Sequence, residues 1–185
     1  MVNWRRGPAV ATLLAAAATP WAPPSVANVV YGSPKGIVYN LNLPQTFEQA
    51  PKPVKTHLYE ALWKGPRKGT QVGMSVDQVK IGSLKEFGSA DTVAERVVAA
   101  EETRDGVFRV DLVGYFAQEG STAEEEAYTV EYASQGSRGN KHFLCKFAVR
   151  DHRLWVLQAS SLEADFELPE LELRAIVDSF GFVDE

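Results

Sequence analysis

The chain has 185 residues, 45% of them hydrophobic and 23% charged, which excludes a polytopic membrane protein, a collagen-like repeat and a wholly disordered chain. A formal net charge of -5 argues against a general nucleic-acid binder, because such proteins carry a basic excess. Cys145, the one cysteine, excludes an intramolecular disulfide framework and a cysteine-rich zinc site.

The N-terminal segment reads as an address rather than a fold. Arg5 and Arg6 stand side by side, the apolar run Ala9–Ala18 follows, and no acidic residue occurs before Asn28. A positive start, a short apolar middle and the small residues of Ser25-Val26-Ala27 have the order of a signal peptide. The run is well short of the roughly twenty residues that a spanning helix requires. Paired arginines before a weakly hydrophobic, alanine-rich core point to the twin-arginine route, which carries folded cargo. The expected division is a signal over 1–27 and one domain over 28–185. Cleavage after Ala27 removes two arginines and no acid, taking the net charge from -5 to -7. Export to a bacterial periplasm or to a thylakoid lumen fits equally.

Beyond Asn28 the elements follow without repeats or linkers. Ile37, Tyr39, Leu41 and Leu43 alternate, which predicts a first strand over Gly36–Pro44. A second strand is expected over Val54–Lys64, closed by the turn-forming run Gly65–Gly69. A third follows over Thr70–Lys80, with Val72, Met74 and Val76 on one face. Over Ser89–Thr103 the period becomes helical, with Val93, Val97 and Ala100 in a stripe, Ser89 or Asp91 as cap and Gly106 as stop. Period two then returns. Phe108, Val110, Leu112 and Phe116 are expected on one side of a strand, and Tyr128, Val130 and Tyr132 on one side of the next. Phe143, Cys145, Phe147 and Val149 share a face of another strand, which turns at Arg150–Arg153 into Leu154–Ala159. Glu167–Phe180 forms a last helix with Leu173, Ile176, Val177 and Phe180 inward. Strands interrupted by helices, without strict alternation, predict an α+β domain: a central twisted antiparallel sheet flanked by helices.

The search for chemistry returns mostly negatives. His57, His142 and His152 show no metal-binding spacing. His142 is expected half exposed beside Lys146, on the strand face opposite Phe143 and Cys145, and His152 in a turn. Cys145 sits among large apolar residues and reads as a core thiol. On a strand, residues 142 and 145 point to opposite faces, which rules out a cysteine–histidine dyad. The carboxylates Glu124–Glu126 and Glu163–Glu172 lack the pattern of a calcium loop and read as a solvated loop and an acidic helix start. No catalytic residue is assigned, and no cofactor.

Several segments together carry a resemblance. Val79–Gly88, Val93–Val97, Tyr128–Tyr132, Gly139–His142, Arg153–Ala159 and Asp178–Phe180 resemble, in the same order, the PsbP family of thylakoid-lumen proteins, over roughly residues 36 to 183. The resemblance implies an α-β-α sandwich and a non-enzymatic, peripheral role at the lumenal side of photosystem II, as part of its oxygen-evolving complex. Members of the family also serve as assembly or repair factors for thylakoid complexes. PsbP itself helps to retain calcium and chloride through a long N-terminal arm. Here cleavage after Ala27 would leave only eight residues before the first expected strand, and Val54–Glu60 looks more like the PsbP-domain relatives. The Lys141-His142 pair matches a pair in PsbP linked to divalent cations, which makes His142 a candidate ligand for calcium or another divalent ion. Arg138, Lys141, His142 and Lys146 are the candidate partner-binding residues, facing acidic lumenal loops of photosystem II or another thylakoid complex.

Overall fold

The alternation of apolar side chains along each strand decides how the layers stack. The computed structural model describes residues 27–32, 38–51, 56–120 and 126–182, so the signal expected over 1–27 lies outside them except for Ala27. Ten strands run in chain order as β1 (Ala27–Gly32), β2 (Val38–Leu43), β3 (Glu48–Gln49), β4 (Tyr59–Lys64), β5 (Gln71–Gln78), β6 (Val107–Gln118), β7 (Ala127–Gly136), β8 (Lys141–Arg150), β9 (Arg153–Leu162) and β10 (Gly181–Phe182). The helices are α1 (Leu84–Phe87), α2 (Ala90–Glu102) and α3 (Glu170–Asp178), with a 3-10 turn at Glu163–Asp165. Seven strands form a central antiparallel sheet in the order β3-β4-β5-β9-β8-β7-β6, and β1, β2 and β10 form a smaller sheet. The fold is α+β, as expected.

Strand β8 shows why both faces are covered. Its odd positions Phe143 and Cys145 pack with Val130, Tyr132 and Ala94 of α2, and its even positions Leu144 and Ala148 pack with Leu173 and Ile176 of α3. Leu84 of α1 and Val93 of α2 close the first face further along, against Tyr128 and Val149. On the second face Tyr39 and Leu41 of β2 join Trp63, Met74, Trp155 and Phe180 in the largest cluster. Burying a Leu- or Phe-sized side chain contributes about 1.5–3 kcal/mol, so this cluster dominates the stability of the domain.

The differences from expectation have local causes. The first expected strand, β2, does not join the central sheet; it pairs with β1 and β10 and lies over the second face. β1 occupies most of the short stretch that was expected to precede the first strand. In α2 the inward positions are Val93, Ala94 and Glu101, while Ala100 is exposed, so the stripe turns towards Glu101 in the last turn. Ser89 is the N-cap residue and Asp91 lies in the first turn. Strand β6 carries register shifts between Val107 and Arg109 and between Leu112 and Gly114. Each such bulge resets the alternation, so Phe108, Val110, Leu112 and Phe116 do not share one face. Only Val110 of these is buried. The β8–β9 turn places Asp151 and His152 at φ 54° and 55°, the paired left-handed conformation of a tight hairpin, and His152 is the turn residue expected.

Candidate functional site

The four basic candidates do not form one patch. Arg138 sits exposed in the turn between β7 and β8, and Lys141 is partly exposed at the start of β8. His142 is only 6% exposed and Lys146 only 4%, because α3, Phe166 and Phe180 cover the even face of β8. The half-exposed position expected for His142 is therefore corrected. Arg138 and Lys141 instead line a small depression with Glu101, Arg104 and Val107, at the base of β6.

His142 sits at the buried end of a half-buried network of charged side chains. Its Nε2 meets Glu131 Oε1 at 2.8 Å and its Nδ1 meets Glu163 Oε2 at 2.9 Å. Phe166 stacks on the ring with centroids 3.6 Å apart and planes 13° from parallel. Arg174 donates from Nη2 to Glu131 Oε1 at 2.7 Å and from Nε to Glu170 Oε1 at 2.9 Å. The network thus ties β7, β8, the 3-10 turn and α3 together. Burial raises the Glu131 carboxyl, but hydrogen bonds from Arg174 and His142 outweigh it and hold the group below its usual range. Both imidazole nitrogens face carboxylates, so neither is left to ligate a metal. Among the described residues no group of three or more His, Cys, Asp or Glu side chains is placed to hold a metal ion.

A second network lies on the other face. Glu101 accepts from Ser134 Oγ at 3.1 Å and from Arg104 Nη1 at 2.8 Å. Cys145 is buried, and desolvation pushes its thiol up to about 12 despite a hydrogen bond with Tyr132. A thiol held protonated in this way does not act as a nucleophile. Glu131 and Arg174 were not singled out by the sequence reading, and Glu163 and Glu170 were read there only as part of an acidic helix start. The signal was present in Glu131, a charged residue between Val130 and Tyr132 on a strand whose partner has both faces apolar.

Among the described residues, β6, an edge strand of the central sheet, carries the longest run of exposed large apolar side chains. Phe108 is 76% exposed and Phe116 65%, with Leu112, Val113 and Tyr115 also exposed. An unpaired edge with several large apolar side chains is a ready template for association. The strip begins at Val107, which shares the depression with Arg104, Arg138 and Lys141 and with the carboxylates Glu101 and Asp105, three cations against two anions.

The PsbP family model matches residues 33–182. The chain belongs to the PsbP family. PsbP domain-containing protein 2, chloroplastic, of Arabidopsis thaliana is 26% identical over 120 residues, 64% of this chain, and this chain spans about half the length of that relative (50%). The solution structure of cyanobacterial PsbP from Synechocystis sp. PCC 6803 superposes with a TM-score of 0.69 at 14% identity, covering 89% of this PsbP-family chain and 96% of that one. The crystal structure of protein PA94 from Pseudomonas aeruginosa superposes with a TM-score of 0.52 at 14% identity, covering 85% and 99% respectively. The two structural likenesses show the fold alone, while the family rests on sequence.

Proposed function

We propose that this PsbP-family chain is an extrinsic protein of the chloroplast thylakoid lumen that docks, without catalysis, on the lumenal side of photosystem II. The observation that carries the reading is the β6 edge, an exposed apolar strip whose base adjoins Arg138 and Lys141. Apolar contacts supply affinity in such an arrangement, and the basic end orients the protein against an acidic partner face. The family match and the chloroplastic relative support the location, and no helix among the described residues is long and apolar enough to cross a membrane.

A second reading is an assembly or repair factor for a photosystem or another thylakoid complex. The curated relative, a chloroplastic PsbP domain-containing protein, fits either reading. Quantitative mass spectrometry of size-fractionated thylakoid complexes separates the two. Equal stoichiometry with mature photosystem II supports a subunit, and substoichiometric co-migration with immature complexes supports the factor. Recovery wholly free of any membrane complex overturns both.

A further inference from the structure

The second face of the central sheet holds a cleft that the docking surface does not use. It has a volume of about 340 Å3 and is lined by Gln118, Ala127, Lys146, Ala148, Arg150, Phe180 and Phe182, with Glu119 and Gly120 at β6's end. Lys146 and Arg150 are four residues apart on β8, with Ala148 between them, so both reach the same side of the strand.

Lys146 is the decisive residue. It is buried, and its Nζ donates to one acceptor, the carbonyl oxygen of Phe180, at 3.3 Å. An ammonium carries three donors. The Phe180 ring centroid is 6.0 Å from Nζ. Burial lowers the affinity of Lys146 for its proton, partly opposed by the charge of Asp178. A buried cation with one protein acceptor, facing a cleft of this size, lacks the compensation that buried charges otherwise have. A negatively charged oxygen group in the cleft would supply it.

The walls restrict what else the ligand carries. Ala127, Ala148, Phe180 and Phe182 present hydrocarbon, and the Arg150 guanidinium lies over the Phe182 ring at 5.1 Å. A bare inorganic anion would leave those walls uncovered. The carboxylate of Glu119 disfavours a multiply charged group. We infer that this cleft binds a small amphipathic carboxylate, its head on Lys146 and its hydrocarbon body against Phe180, Phe182 and Ala148. The inference stands apart from the docking role and does not depend on it.

The test is calorimetric titration of the full chain with octanoate, octanol and inorganic phosphate. One saturable octanoate site is expected, with octanol and phosphate each at least tenfold weaker. Lys146→Met is expected to lose at least tenfold in octanoate affinity. Amide chemical shifts of the unaltered protein supply a check that needs no variant: octanoate should move Gln118, Ala127, Ala148 and Gly181. Absence of saturable binding, equal binding of octanol or phosphate, unchanged affinity in folded Lys146→Met, or shifts confined to other residues would each overturn the inference.

Discussion

Arg174 of α3 donates to Glu131 of β7 at 2.7 Å, across 43 positions of sequence, and the same Glu131 oxygen also meets His142 at 2.8 Å. Glu131 is thus the shared anion on which the last helix is pinned to the central sheet. Replacing it by Ala leaves Arg174 and His142 without that partner. The expected loss is about 2 kcal/mol, below the 3–5 kcal/mol typical of a fully buried pair because Arg174 is partly exposed. Urea denaturation of Glu131→Ala measures it.

The same residue sets part of the acid response. Its carboxyl is held below the usual range, so the unfolded chain binds the proton more tightly than the folded one. The stabilisation is present above the unfolded carboxyl's pKa and disappears as pH falls through the lower, folded value. Glu131→Gln removes that titration, so its stability should fall less steeply on acidification than that of the unaltered protein. Denaturation midpoints between pH 6 and pH 3 compare the two, and parallel acid limbs would contradict the pairing.

Lys146 gives the same sign at higher pH, but from burial rather than pairing. Burial depresses its proton affinity, so between the folded pKa and the unfolded lysine range the unfolded chain holds more protons, and this contribution to stability rises with pH. Lys146→Met lacks that rise and, having no buried charge, is expected to be neutral to about 1 kcal/mol more stable near neutral pH. Thermal and urea midpoints at pH 7 and pH 10 show both effects.

The thiol of Cys145 should be silent in the native state. With its pKa pushed up to about 12 and its side chain buried, it carries almost no accessible thiolate at pH 8. Labelling by a thiol-reactive dye should follow unfolding and accelerate with added urea. Rapid labelling of the folded protein would show that the α2 face opens far more readily than its packing implies.

Much of this architecture was legible in the residues. Val72, Met74 and Val76 alternate with polar neighbours, and all three are buried. Leu173, Ile176 and Val177 mark α3 by spacing alone. The half-buried network was not legible, because periodicity reports which face is apolar but not which charges meet across it. His142 and Lys146 look like surface residues in sequence since nothing local says that α3 and Phe180 return over them. Strand β6 misled in another way. Its bulges at Phe108 and Val113 shift side chains between faces, and a strand pattern read at fixed period two assumes no such step. The short strands β1 and β10 owe their pairing to β2, a long-range partner that no local pattern reveals.

The central claim is that the folded exterior, through β6 and its basic base, seats this protein on a lumenal complex. Phe108 and Phe116 point away from the core, so Phe108→Ser and Phe116→Ser should each change stability by no more than about 0.5 kcal/mol. The decisive measurement is rebinding of the purified double variant to salt-washed thylakoid membranes, beside the unaltered protein and Arg138→Gln with Lys141→Gln. The unaltered protein should rebind saturably, the aromatic variant at least tenfold more weakly, and the charge variant with reduced dependence on salt. Equal rebinding by the folded aromatic variant would contradict the claim.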